Sequence, residues 1–213
     1  MTAPPIAEDA FHTADELDIV VLCGGAGRRM GGADKPLLQA GPARLIDYCL
    51  TCLPPARQIL VSANRNLPEY RQLGHPVIAD LTPDLGPIGG LVSCLPHLQA
   101  PYVYVVPGDA AFVPQSLAAL LLAATDTHRQ AAAIYRSQER VHYLPVVVKR
   151  TALLDAKTGV AAYLATGARS VRGLLERLGY AEWQPQTDLA PLVNINDPAD
   201  LAALRGSAPD LPS

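Results

Sequence analysis

The run Leu17-Asp-Ile-Val-Val-Leu-Cys23 and the segment after it, Gly24-Gly-Ala-Gly-Arg-Arg-Met-Gly-Gly32, constrain this chain more than any other stretch. A short apolar run that stops at glycines reads as a buried strand. Glycines directly after such a strand let the backbone approach a ligand and aim N–H groups at anionic oxygens. Arg28, Arg29 and Lys35 bring positive charge to the same place. Arginine clamps phosphate in a bidentate way, and lysine acts as a point charge. A triphosphate is the natural guest.

Two other phosphate loops fail on the residues. A Walker A loop needs GxxxxGK followed by Ser or Thr, but Lys35 follows Asp34 and precedes Pro36. A dinucleotide fingerprint needs GxGxxG, and Met30 stands where its third glycine belongs. The next strand ends in Ala63-Asn64 instead of the acid that would hold a ribose. A hydride-transfer enzyme is therefore a weak alternative.

Further along, strands are predicted at 58–63, 76–79, 102–106, 131–136, 141–149, 181–184 and 193–195. Helices are predicted at 44–53, 68–73, 88–98, 114–124, 151–166 (broken near Gly159), 170–178 and 198–205. The turn Ser137–Arg140 makes a hairpin of 131–136 and 141–149. Strands alternating with helices imply an α/β, Rossmann-like three-layer fold: a mostly parallel sheet with helices on both faces. Ligands of such sheets sit beyond the C-terminal strand ends, so the loops 24–35, 80–87 and 107–113 should converge on one crevice. With 213 residues, one domain is expected: a loose tail over 1–16, then the domain over 17–213.

Composition narrows the function classes. Apolar residues make up 49%, charged residues 17% and mean hydropathy is +0.15, which fits a chain with a sizeable core. The net charge of −3 argues against a general nucleic-acid binder. The longest apolar run, Leu117–Ala124, is far short of the roughly 20 residues that span a bilayer. An acidic N-terminus (Glu8, Asp9, Asp15, Glu16) without a basic n-region makes a cytoplasmic location the expectation. Cys49 and Cys52 form a CxxC, but no second ligand pair accompanies them. Two small core-facing residues on one helix is the better reading. The five histidines show no ligand spacing.

The pattern GGxxxRMGGxDK, as it stands in Gly24–Lys35, resembles the signature loop of molybdenum cofactor guanylyltransferases, nucleotidyltransferases of the nucleotide-diphospho-sugar transferase-like group. Further segments follow in the family's order. Ser62-Ala63-Asn64-Arg65 is similar to its NANR segment, with Asp80 at the expected place after it. Gly86-Pro87-Ile88-Gly89-Gly90 resembles its GPLAG loop, and Pro107–Pro114 its PCDTPxxP segment. Asn194-Ile195-Asn196-Asp197-Pro198 resembles its NxNTPE ending. The match runs over about residues 17–205.

The resemblance implies transfer of GMP from GTP to the terminal phosphate of molybdopterin, with release of pyrophosphate. It implies that Leu22, Gly24 and Gly25 line the guanine and ribose side, Gly25 favouring a purine because relatives that use CTP usually carry alanine there. Asn64 and Asp80 would hydrogen-bond the nucleoside, since a carboxylate accepts from the guanine N1 and N2 donors. Arg28 and Lys35 would hold the phosphates, and Asp109 would bind Mg²⁺. Lys35, Arg28 and Asp109 are thus the expected catalytic set, while Gly86, Gly89, Asn194 and Asn196 fall to the acceptor side. GTP and molybdopterin are the implied small-molecule partners. Molybdopterin-delivering proteins and molybdoenzymes stay open as protein partners, and neither nucleic acid nor membrane is expected.

The chain departs from the pattern at several points. Cys23 stands where the family usually has alanine, and Gly108 where it has the cysteine before the metal-binding aspartate. Ala110-Ala111 replaces Thr-Pro. Tyr143-Leu144-Pro145 stands where His-Pro is common, and the equivalence of His142 is open. Related readings are a cytidylyltransferase for molybdopterin, a guanylyltransferase for phospholactate or cobinamide phosphate, and a non-catalytic pterin carrier. Lys35 and Asp109 count against the carrier, because a pure carrier needs no Mg²⁺ site. Arg136, Arg140, Arg169 and Arg172 are read as solvated in preference to pterin-binding.

Overall fold

The computed structural model describes residues 14–24, 33–111, 113–138, 140–185 and 193–194. Leu17–Leu22 (β1) is buried along its whole length. It pairs in parallel with Gln58–Ser62 (β4) on one side and Tyr102–Pro107 (β6) on the other. Between β1 and β4 lie a small antiparallel ribbon, Gln39–Ala40 (β2) with Ala43–Arg44 (β3), and the helix Leu45–Thr51 (α1). Sequence reading merged β3 into the helix, because two-residue strands carry no periodicity. Leu67–Arg71 (α2) leads to Val77–Ile78 (β5), which is parallel to β4.

Pro87–Cys94 (α3) crosses back to β6, and Ala110–Ala111 (β7) follows. Ser116–Thr127 (α4) leads into Ala132–Arg136 (β8) and Val141–Lys149 (β9). Arg150–Leu154 (α5), Val160–Ala165 (α6) and Val171–Leu178 (α7) precede Tyr180–Trp183 (β10). Val193–Asn194 (β11) pairs with β7. The seven-stranded sheet runs β5-β4-β1-β6-β9-β8-β10, and only β9 is antiparallel to its neighbours. The expected mostly parallel sheet with a β8–β9 hairpin is what forms. The predicted helix 198–205 lies outside the described residues, as does the tail before Ala14; Ala14–Glu16 form a 3-10 turn leading into β1. No helix among the described residues is long and apolar enough to cross a membrane.

The apolar residues of β1 alternate between two cores. Ile19 and Val21 pack with Ile46, Cys49, Tyr104, Leu117 and Leu121 on the face covered by α1 and α4. Val20 and Leu22 pack with Leu60, Ile88, Leu91 and Val105, under α3 and the helices α5 to α7. A strand buried on both faces needs apolar residues in both registers, which explains the unbroken run. Its one charge, Asp18, is buried, and its Oδ2 accepts from the backbone N–H groups of Gln99 (2.6 Å) and Ala100 (2.9 Å). The cysteine reading holds for Cys49, which is core. Cys52 sits half-buried at the C-terminal cap of α1, and both are free thiols.

Helix α3 lies unusually close to the sheet. A Cβ on Gly90 would come within 2.3 Å of Ser62 Oγ and 3.0 Å of Leu22 Cδ2. Gly90→Ala should therefore push α3 away from β1 and β4 and cost about 1–3 kcal/mol, the range for overpacking a filled interior. Urea denaturation checks this; an unchanged midpoint would show that the helix relaxes freely.

Candidate active site

The chain leaves β1 toward β4 and β5 and then returns to β6 on β1's other side, so the connections diverge between the ends of β1 and β6. At such a switch point two loops part and leave a crevice. A cleft of about 170 Å³ opens there, walled by Leu22 from β1 and Gly24 just beyond it, Asp34 and Lys35, Pro87 from α3, and Asp109 and Leu144. All three stretches expected to converge, 24–35, 80–87 and 107–113, contribute lining residues, the second through Pro87, where α3 begins.

The strand ends are tied together by main-chain bonds. The N–H of Gly108 donates to the Leu22 carbonyl (2.9 Å), and that of Cys23 to the Ser62 carbonyl (2.8 Å). The turn that follows Gly108 sets Asp109 at the cleft, where its carboxylate meets the Lys35 ammonium in an ion pair. Each side chain keeps 21% of its surface exposed, which leaves both reachable from the cleft. Lys35 starts a short 3-10 turn, Lys35–Leu37, with Pro36 inside it. The register of β7 with β11 puts Asn194 opposite Ala110, next in sequence to Asp109. Gly25, Arg28 and Asn196 lie outside the described residues.

Asn64 and Asp80 lie beside the cleft, beyond β4 and β5. The Asp80 N–H donates to Asn64 Oδ1 (2.7 Å), which binds the two loops to each other. A Cβ on Gly24 would lie 3.6 Å from Asn64 Nδ2, so the pair adjoins the first loop glycine. Asp80 Oδ1 is buried and has no hydrogen-bond partner among the described residues. Gly89, expected on the acceptor side, stands against Asp80: a Cβ there would be 3.0 Å from Asp80 Oδ2 and from Leu85 Cβ. Gly86 adopts φ 64°, ψ −151° just before α3, a conformation that glycine alone takes readily.

Two departures noted in the sequence are one feature in space. A Cβ on Gly108 would sit 2.5 Å from Cys23 Sγ. The thiol therefore fills room that a side chain at 108 would need. Burial above all, with Cys49 next, pushes the Cys23 thiol well above its usual range. It stays neutral at pH 7 and serves as packing, not as a nucleophile.

The β8–β9 pairing slips between Ile134 and Tyr135: Ile134 faces Val146, but Tyr135 faces His142. The slip answers the question of His142. Its ring lies 5.2 Å from that of buried Tyr135, on the α4 side of the sheet. Burial and the Arg140 charge lower its pKa. Leu144, on the other face, reaches the cleft. Among the arginines read as solvated, Arg136 pairs with Glu182, and Arg172 pairs with Glu176 over the Tyr143 ring.

Sequence reading assigned no role to Asp34, whose buried carboxylate is the centre of a polar cluster. Its Oδ1 accepts from the Tyr70 hydroxyl (3.0 Å) and its Oδ2 from Asn66 Nδ2 (2.9 Å), with Arg65 Nε at 3.6 Å. The one signal was its place between a glycine-rich loop and Lys35.

An open α/β sheet with a cationic and an acidic side chain facing each other at its switch point has the ligand-binding architecture of the doubly wound class. The profile of the MobA-like NTP transferase domain matches residues 19–182. The molybdenum cofactor guanylyltransferase of Shewanella sp. strain ANA-3 is 31% identical over 185 residues, covering 86% of this chain and 92% of that protein. That of Shewanella frigidimarina is 37% identical over 160 residues, covering 74% and 80%. The crystal structure of molybdopterin-guanine dinucleotide biosynthesis protein A from Archaeoglobus fulgidus shares the fold, with a TM-score of 0.67 at 23% identity over 89% of this chain and 97% of that one. The chain belongs to the family of MobA-like NTP transferase domains.

The contact between residues 23 and 108 is testable as a cycle. Gly108→Cys alone should destabilise the protein by about 1–3 kcal/mol through overpacking. Cys23→Ala combined with Gly108→Cys should recover most of that loss, a coupling expected only of neighbours. Additive effects in thermal melts would refute the volume exchange.

Proposed function

We propose that this chain transfers GMP from GTP to the terminal phosphate of molybdopterin, forming the guanine dinucleotide cofactor and releasing pyrophosphate. The observation that carries the reading is the meeting of Lys35 and Asp109, delivered by two different loops to one cleft. Family membership and the guanylyltransferase relatives support the choice of reaction.

In this reading the nucleoside lies toward Leu22, Gly24, Asn64 and Asp80. On the same reading the Asp80 carboxylate accepts from the guanine N1–H and N2–H. Arg28 and Lys35 hold the phosphates. An oxygen of the acceptor phosphate bonds to the α-phosphorus of GTP as the bond to the bridging oxygen breaks, and that oxygen leaves with pyrophosphate. The attacking phosphate is already ionised, so no general base is needed. The obstacle is the repulsion between two anions, and fixed positive charge lowers it most effectively in a site poor in water.

The donor set suits Mg²⁺. That ion takes one or two carboxylates and completes its shell with water and phosphate oxygens. Asp109 offers one carboxylate at the cleft. No group of three or more His, Cys, Asp or Glu side chains is assembled among the described residues. When bound, the metal would neutralise charge on the phosphates, with Asp109 holding it. The β7–β11 pairing sets the Asn194 backbone opposite Ala110; in this reading Asn194, Asn196 and Gly86 belong to the pterin phosphate side. GTP and molybdopterin are then the small-molecule partners, and the cytoplasm the location.

The test is pyrophosphate release by the purified protein with Mg²⁺ and molybdenum-loaded molybdopterin, with GTP, CTP and ATP in competition. Release should require both GTP and the pterin. Lys35→Ala and Asp109→Ala should each lower turnover about 100-fold or more, the scale of losing one key electrostatic contact. Nucleotide binding without release would refute the assigned acceptor, and turnover of CTP in preference to GTP would refute the base.

A further inference from the structure

Lys35 is a long side chain whose reach depends on where its backbone starts, and the structure holds that backbone firmly. The Asp34 carbonyl accepts from the Leu37 N–H (3.0 Å) and opens the turn that contains Lys35. Arg65 Nη2 donates to the Ala33 carbonyl (2.8 Å), on the other side of Asp34. The Asp34 carboxylate accepts from Asn66, in the β4–α2 connection, and from Tyr70, in α2 itself. Tyr70 is fully buried; burial, together with Cys23 and Asp34, holds its phenol far above the usual range, so it remains a hydrogen-bond donor. Asn66 is in the left-handed region (φ 49°, ψ 37°), a conformation that asparagine tolerates better than most residues.

We infer that Asp34 is a positioning residue. Through Asn66, Tyr70 and Arg65 it locks the backbone of Lys35 to the segment that also carries Asn64, so that the ammonium is presented to the phosphates at a set distance from the nucleoside. Asp34 borders the same cleft as Asp109, but both of its oxygens already accept from the protein, which separates the two carboxylates in role. Two carboxylates thus flank Lys35: one sets where its chain begins, and the other receives its charged end. The inference rests on the reading above only in that Lys35 contacts nucleotide phosphates; the identity of the acceptor does not enter.

Equilibrium binding of GTP and of GMP, with Mg²⁺ and without acceptor, tests it. The proteins are the wild type, Lys35→Ala, Asp34→Asn, Tyr70→Phe and the two combinations with Lys35→Ala. Lys35→Ala should weaken GTP about tenfold, the size of one charge-assisted contact. Asp34→Asn should weaken GTP by a similar factor and Tyr70→Phe by less, while GMP, which lacks the β- and γ-phosphates, is held nearly as well as by the wild type. In the Lys35→Ala background neither substitution should weaken GTP further, because the residue they position is gone. Tyr70→Phe keeps the ring in the core and carries the comparison if Asp34→Asn does not fold. Equal losses for GTP and GMP, or losses that add to that of Lys35→Ala, would overturn the positioning role while leaving Lys35 as a phosphate contact. If Lys35→Ala itself binds GTP normally, the phosphate reading falls and the positioning role falls with it.

Discussion

The close approach of the ends of β1 and β6 is the constraint on which the rest of the site depends. One main-chain bond, Gly108 N–H to the Leu22 carbonyl, holds the two strands together where their connections part. Beyond that bond the backbone must turn within a tight space, and only the lack of a side chain at 108 leaves room for Cys23. The turn then sets Asp109 opposite Lys35. A sheet that diverges at this point makes a crevice regardless of sequence; the chemistry comes from which residues stand at its lip.

Glycine at 89 and 90 does similar work for the opposite wall. These residues let α3 settle onto β1 and β4, so that Pro87 borders the cleft and Asp80 is covered closely. The site is therefore assembled by backbone proximity at two places, with Asp109 just beyond the end of β6 and Lys35 on a short 3-10 turn. That suits a transfer between two anions, where the arrangement of charge must be in place before the reactants meet.

Much of the fold was legible because the signals were local. An unbroken apolar run bounded by glycines, such as Leu17–Cys23, has few structural solutions, and the helices at 116–127 and 171–178 show their start signals directly. Pro114 precedes the first, and Ser170 caps the second by accepting from the Gly173 N–H. The ribbon at 39–44 escaped notice because its strands are two residues long. The slip in β9 also escaped, since a shift of register leaves no mark on an apolar stretch like Tyr143–Val148. It is this slip that sends Leu144 to the cleft and His142 to the other face.

From its sequence alone the chain determined a mostly parallel sheet, a glycine-rich segment after its first strand and the ordered set of segments that resemble its family, because these depend on residue type and spacing. The tertiary structure decided which of those residues meet. Asp34 and Tyr70 are 36 positions apart, and Cys23 and Gly108 are farther still. Nothing in the local chemistry of either pair announces the other, because the proximity of each is produced by strand pairing and helix packing elsewhere. For the same reason Asp34 and Asp109 look alike as letters near a glycine and border one cleft, yet the first is engaged by Tyr70 and Asn66 and the second by the Lys35 ammonium.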